Sequence, residues 1–367
     1  MWFYKMNYIH SRQQDFLQIQ SNLDKDIIIS YKDSMVVLGD SLEKIKRIPN
    51  ESISLILTDP PYHVTKKKNI QGDTNFKQDE DYLFWLNEYA KEWKRILKPN
   101  GTLYCFCDAS MSTKIEYLFS ENFNILSNIV WTKPNESGFD GWKGKMKKES
   151  LRQWYKHSER IIVAEPAMDG NLHRSAFAEL LKQARKQSGL SGHQLTELVG
   201  AYGKVNHGGA VSNWETGRNI PSREQYQKIV TVLLETQKVL TMPLYEDIIR
   251  PFFMNGSKEY TDIWTFPSVR AYKGKHPAEK PLDMLKHIIE ASSYENDIVL
   301  DCFGGSGSTL LATLELNRLA ISIEIDGQWA NRIAEKLQLH QSLKGQKNLH
   351  NNLKTPVFYQ DLFSTTV

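Results

Sequence analysis

The chain reads as an α/β protein on a doubly wound sheet, with a mainly helical insertion in its middle. Three observations lead there. Strand and helix patterns alternate from Met35 to Asn128, the alternation returns from Pro281 to Asp326, and a long stretch of different composition separates the two.

Element by element, "MVVLGD" from Met35 is a short apolar strand, and "SLEKIKRI" after it has helical spacing. Ile53 to Leu57 is a second core strand, apolar and bounded by turn formers. "DYLFWLNEYAKEWKRILKPNG" is a long amphipathic helix that Pro99 and Gly101 are expected to stop. "TLYCFCD" is a further strand. Near the other end "PLDMLKHIIEASS" reads as helix, "DIVLDCF" as strand, "GSTLLATLELN" as helix and "RLAISIEID" as strand. Alternation of this kind argues for parallel pairing. The expected division is 1–131 for one half of the α/β domain, 132–275 for the insertion, 276–345 for the other half and 346–367 for a tail. Residues 1–34 and the tail carry no legible motif.

At 367 residues, 40% hydrophobic and 24% charged, the chain has the composition of a globular protein. No apolar run approaches the roughly 18 residues of a membrane span, and the first residues lack the regions of a signal peptide. Cys105, Cys107 and Cys302 sit in apolar contexts without zinc spacing, so a reduced, cytoplasmic protein is expected. A net charge of +3 is too small to name a partner, although Lys66-Lys67-Lys68 and Lys143 to Lys148 are local basic clusters.

Two stretches carry chemistry. "LILTDPPYHV", residues 55–64, places an acid, two prolines and an aromatic ring after a buried strand, at the sheet edge where ligands bind in open α/β folds. "VLDCFGGSGSTLLA", residues 299–312, runs strand, glycine loop, helix; its glycines would let the backbone approach a ligand lying at the helix amino end. Glu324 follows at the end of the next strand, a spacing suited to an acid on the ribose of an adenosine-containing cofactor. Spacing alone leaves a nicotinamide dehydrogenase and a methyltransferase both open; the lysine pattern of a phosphate-binding P-loop is absent.

"DPPY", "HPAEKP" (residues 276–281) and "DCFGGSGS" followed by "IEID" resemble the amino-methylating DNA methyltransferases of the beta arrangement, over roughly Met35–Thr132 and His276–Leu337. The resemblance implies a catalytic motif first, a target-recognition region next and the S-adenosylmethionine motif last, a circularly permuted order. It implies that the Asp59 carboxylate and the Pro60 carbonyl accept hydrogens from an exocyclic amine, that Pro60 and Pro61 hold that carbonyl outward, and that Tyr62 stacks on a flipped base. It places Asp40 against the cofactor's adenine, Phe303, Gly304, Gly305, Ser306 and Gly307 around its methionine part, Asp301 in support of that loop and Glu324 on the ribose. Lys280 and Pro281 fall at the remaining cofactor contact, with a solvent-facing lysine as the plainer alternative. No metal is implied, since the sulfonium is already an electrophile. Cys302 departs from the family, which more often has proline there; the way into the loop is expected to be less rigid.

Within the insertion, about 175–235, "LLKQARKQSGLS", "LTELVG" and "VSNWETGRNIPS" resemble the helix-turn-helix of Cro/repressor-type regulators. The resemblance ends the second helix near Gly200 and maps groove contacts onto His207, Gly208, Gly209, Ser212 and Asn213, with Trp214 as core anchor and Arg218 as phosphate contact. The expected function is site-specific methylation of adenine N6 in double-stranded DNA. Cytosine N4 methylation and a non-catalytic, cofactor-sensing regulator stay open beside it. A homodimer and a cognate restriction endonuclease are partners that the family would allow.

Overall fold

The computed structural model describes residues 2–63, 76–134, 152, 154, 157–167, 176–201, 209–254 and 260–349. In chain order these form α1 (Trp2–Leu23), β1 (Ile27–Tyr31), β2 (Ser34–Leu38), α2 (Ser41–Ile45), β3 (Ile53–Thr58), α3 (Asp79–Ile96), β4 (Leu97–Asp108), α4 (Ser112–Phe119), β5 (Phe123–Thr132) and β6 (Ser158–Pro166). Helices α5 (Ala176–Ser188), α6 (Gly192–Val199), α7 (Ala210–Glu215), α8 (Arg223–Glu235) and α9 (Tyr245–Ile248) come next. The chain closes with β7 (Ile263–Thr265), α10 (Leu282–Ser292), β8 (Ile298–Asp301), α11 (Ser308–Glu315), β9 (Leu319–Glu324) and α12 (Gly327–Leu349). Among the described residues no helix is long and apolar enough to cross a membrane.

The strands join one sheet in the order β1-β2-β9-β8-β3-β4-β6-β5-β7. Its five central strands, β2, β9, β8, β3 and β4, are parallel as the alternating pattern predicts. The sheet as a whole is mixed, because β6 runs antiparallel to both β4 and β5, and β1 antiparallel to β2. The inserted stretch is therefore not a separate body throughout: β6 and β7, both within 132–275, are rungs of the main sheet. Their apolar runs are short and lie in sequence without clean periodicity, which hid them.

Side chains of the central strands serve two layers, with an irregularity between Ile53 and Leu55 that breaks strict alternation in β3. Ile53 and Ile56 of β3 pack with α1, α3 and α4, whereas Leu55 and Leu57 pack with α10. Helix α3 ends at Ile96, and Pro99 and Gly101 lie inside β4 instead of capping the helix. The residue before a proline avoids the helical region, so Lys98 is already extended and the chain passes directly into the strand.

Helices α5 to α8 form a small bundle with its own core of Phe177, Leu181, Leu195, Val211, Trp214 and Ile229. Ser191 with Gln194, and Ser222 with Gln225, make capping boxes at the starts of α6 and α8. Gly200 closes α6 with a φ of +67°, a conformation that favours glycine.

Residues 1–34, without a motif, supply a structural hub. The Arg12 side chain is 1% exposed and donates to Asp297 at 3.0 Å, with Asp247 beside it at 2.8 Å. Asp297 also accepts from the Tyr8 hydroxyl, the Ser54 hydroxyl and the Tyr294 N–H. One carboxylate thus ties the first helix to β3 and to the approach to β8. Taking away the cation leaves a buried, uncompensated acid, so Arg12→Met is expected to cost about 3–5 kcal/mol of folding stability, read as a lower urea midpoint; a midpoint within error of the parent would show that the hub carries little.

Candidate active site

Parallel pairing aligns the carboxyl ends of neighbouring strands, and in this sheet each end carries an acid. Asp40 follows β2, Glu324 closes β9, Asp301 closes β8, Asp59 follows β3 and Asp108 closes β4. All five line a cavity of about 360 Å³ at that edge, the switch-point position where open α/β sheets hold ligands. Because β6 is antiparallel, its amino end reaches the same edge: Glu159 lies opposite Asp108 in the β4–β6 register and joins the wall.

Around Asp59 the structure builds a buried ionic cluster. Lys280 Nζ, on a side chain 9% exposed, donates to Asp59 Oδ2 at 2.6 Å and to the Tyr62 hydroxyl at 3.2 Å, and lies 3.4 Å from Glu159 Oε2. The Tyr62 hydroxyl donates to Glu159 Oε2 at 3.0 Å, and Lys133 donates to Glu159 Oε1 at 2.5 Å. The rings of Tyr62, Phe106 and Trp131 face the Lys280 ammonium at 5.1, 5.0 and 6.0 Å from their centroids, within the range where a ring's negative face attracts a cation. Burial works against the lysine's charge, but the two carboxylates outweigh it and hold the ammonium above its usual range. Burial likewise raises the Asp59 carboxyl; Lys280 pulls it back and the charge of Glu159 adds to the rise. Burial would also raise Glu159, yet Lys280 and Lys133 together hold it at about 2. Asp59 Oδ1 is buried with no hydrogen-bond partner among the described residues, an acceptor left for something else.

The glycine loop lies beside this cluster. Glu324 Oε2 accepts the Gly305 N–H at 2.7 Å and Oε1 accepts the Asp326 N–H at 2.9 Å, so the acid shapes the loop as well as facing the cavity. Gly304 is needed for packing, since a Cβ there would stand 2.3 Å from Ser322 Oγ. Gly305 and Gly307 have φ of +48° and +77°, left-handed positions that glycine occupies without strain. Phe303 packs on Trp85 and Tyr89, which with Ser41 and Asp40 continue the wall. Asp301 accepts the Phe303 N–H at 3.0 Å and faces the Thr58 hydroxyl at 3.4 Å. Cys302, where the family more often has proline, gives the way into the loop two contacts: its N–H, which proline lacks, donates to Thr58 at 3.3 Å, and its sulfur accepts from the Trp93 indole.

Of the residues singled out from sequence, Asp59, Pro60, Pro61, Tyr62, Asp40, Lys280, Asp301, Phe303 to Ser306 and Glu324 converge on one cavity. Gly307 caps α11 and Pro281 precedes α10, both outside the wall. Lys280 is not solvent-facing: it is buried in the cavity wall, and its partners are the acids at Asp59 and Glu159. In the helical bundle Ser212 and Arg218 are exposed and Asn213 half-buried, while His207 and Gly208 lie outside the described residues. Gly209 is turned against α6, where a Cβ would stand 2.3 Å from Thr196 Oγ1, so its glycine serves helix packing. Glu159 was missed. The run "ERIIVAE" was its signal, an apolar strand with acids at both ends inside a stretch read as irregular.

Burial holds Asp301 at about 7, against the N–H of Phe303 and the Thr309 hydroxyl, which favour its charge. Raised in the fold, this group stabilises the protein below its unfolded value near 3.8, and that contribution is lost as pH rises through about 7. Asp301→Asn should therefore flatten the fall of melting temperature between about pH 4 and 7; an unchanged slope would place the titration elsewhere.

The model of the N6/N4 DNA methylase family matches residues 53–336. The chain is 26% identical to the DNA adenine methyltransferase YhdJ of Escherichia coli over 297 residues, 80% of this chain and 79% of that protein. It is 26% identical to the type II methyltransferase M2.MboI of Moraxella bovis over 308 residues, 80% of this chain and 83% of the relative. Among solved structures the PvuII DNA methyltransferase, cytosine-N4-specific, superposes with a TM-score of 0.49 at 15% identity, covering 90% of each chain. With a family match that takes in the acid at β3, the shared lysine and the glycine loop alike, the chain belongs to the N6/N4 family of S-adenosylmethionine-dependent DNA methylases.

Proposed function

We propose that the chain methylates adenine N6 in duplex DNA, with the target base turned out of the helix into the cavity beside Tyr62. The observation that carries this reading is Asp59 Oδ1, a buried acceptor without a partner at the cavity wall. An exocyclic amine is a poor nucleophile because its lone pair is delocalised into the ring. Asp59 Oδ1 and the Pro60 carbonyl, accepting its two hydrogens, favour a pyramidal nitrogen with that lone pair free. Aspartate before Pro-Pro-Tyr supports adenine over cytosine, as does the resemblance to an adenine-specific relative. The type II names of other relatives support a paired restriction endonuclease.

The cavity suits the cofactor in charge. Seven carboxylates and one ammonium line it, complementing a molecule that bears a sulfonium and an ammonium. The loop Phe303–Gly307, Asp40 and Glu324 would hold it. S-adenosylmethionine supplies a methyl group on a positive sulfur, an electrophile that needs no further activation. The chain's own task is to orient the amine and keep water out.

Labelled methyl transfer to DNA, followed by nucleoside identification, tests the reading and separates N6-methyladenine from N4-methylcytosine. Asp59→Ala should lose nearly all transfer while calorimetry shows cofactor still bound, because the glycine loop is untouched. Turnover near that of the parent would sink the assignment.

The helical bundle α5–α8 is proposed to grip the same duplex, with Ser212 and Asn213 toward base edges and Arg218 on a phosphate. The exposure of Ser212 and Arg218 on and just after α7 supports this. Arg218→Ala should weaken duplex binding evenly across sequences and reduce the slope of log affinity against log salt by about 1. A slope unchanged in a salt titration would remove Arg218 from the interface.

A further inference from the structure

Glu159 enters the site from a strand that the methylation motifs do not include. Its oxygens are engaged by protein alone, Oε1 by Lys133 at 2.5 Å and Oε2 by the Tyr62 hydroxyl at 3.0 Å and Lys280 at 3.4 Å. We infer that Glu159 is a positioning residue for methyl transfer, holding Tyr62 by its hydroxyl and sharing Lys280 with Asp59 so that ring and carboxylate are set before the base enters. The inference rests on the reading of Asp59 and Tyr62 given above.

Geometry supports it in two ways. Lys280 bonds the Oδ2 oxygen of Asp59 and lies 3.4 Å from Glu159, so the ammonium is shared between the two acids while Asp59 Oδ1 is buried without a hydrogen-bond partner among the described residues. Without Glu159 the Tyr62 hydroxyl would lose the carboxylate to which it donates at 3.0 Å and be left to Asp59 and Lys280, so that the ring would settle against the catalytic acid instead of being held apart from it. Electrostatics adds a third support. One ammonium divided between two acids neutralises Asp59 less than an exclusive pair would, which preserves its strength as an acceptor for an amine that becomes more positive as the methyl group arrives.

The charged and titratable groups around Asp59 come from every side: Tyr62 on its own loop, Cys105, Cys107 and Asp108 on β4, Glu159 and Arg160 on β6, Lys133 after β5, Lys280 before α10, and Asp301 on β8. Of these, Glu159 raises the Asp59 carboxyl through its negative charge. Removing that charge moves the loss of activity on acidification, which follows protonation of Asp59, to lower pH.

The test is Glu159→Gln, which keeps an oxygen for the Tyr62 hydroxyl and removes the charge. In steady-state methylation of duplex DNA, kcat should fall roughly 10- to 100-fold, the cost of a misplaced reacting group. The KM for S-adenosylmethionine should stay unchanged, and the acid limb of kcat should shift to lower pH. A parent-like kcat and limb, or a lower kcat with an unmoved limb and a lower melting temperature, would overturn the inference; the latter is the mark of a merely structural residue. If the glutamine variant does not fold, Glu159→Asp carries the test, since it keeps the charge one methylene short. It should lower kcat with the limb in place, and an unchanged kcat would overturn the inference. Asp59→Ala measured alongside separates the two levels: full turnover there removes the Asp59 reading itself, whereas an inactive Asp59→Ala with a parent-like Glu159→Gln removes only the positioning role.

Discussion

Seven carboxylates against a single lysine around one cavity is the constraint to which the rest of the site answers. Like charges held this close cannot all ionise at ordinary cost, and the protein meets the problem in three ways. Burial raises Asp301 to about 7 and pushes the Asp59 and Glu324 carboxyls upward as well. Backbone N–H groups of the glycine loop and its neighbours satisfy Glu324 and Asp301. The ammonium of Lys280 is placed between the two acids nearest the acceptor position and enclosed by three rings. What remains is a negative pocket for a cationic cofactor.

The line of acids is a product of topology. Strands β9 and β8, from the end of the chain, lie between β2 and β3, from its beginning. Each motif is local in sequence, yet the site exists only because parallel registers such as Ile56 with Leu300 and Val37 with Ile323 bring the strand ends level. The antiparallel β6 then adds Glu159 from the opposite chain direction.

This division explains what could be read beforehand. Asp59 to Tyr62, the loop after Asp301 and the acid at Glu324 sit in short patterns whose residue types are set by turn geometry and chemistry, so they were legible. Strands β2, β3, β8 and β9 were legible from apolar runs of four to six residues bounded by turn formers. Glu159 and the surroundings of Lys280 were not, because each depends on a partner more than fifty residues away: Asp59 lies 221 positions from Lys280, and Tyr62 lies 97 from Glu159. The hub at Asp297 was hidden for the same reason, since a helix without any motif supplies its cation. Mid-chain strands escaped because β6 and β7 stand in a segment dominated by helices and loops.

The interleaved strand order also governs how the chain comes to its shape. Thr58 and Asp301 are hydrogen-bonded across 243 positions of sequence. Closing a loop of that length costs an entropy worth about 5 kcal/mol before any contact repays it. Until β8 and β9 are made, β2 and β3 have no partners for their facing edges, and a nascent chain carries two apolar strands open to any other strand it meets. Pairing of this range belongs to the slow end of folding. A truncated product that stops before residue 298 would thus be an aggregation hazard with half a sheet, and the first moment at which the acids face one another is also the moment at which the sheet closes.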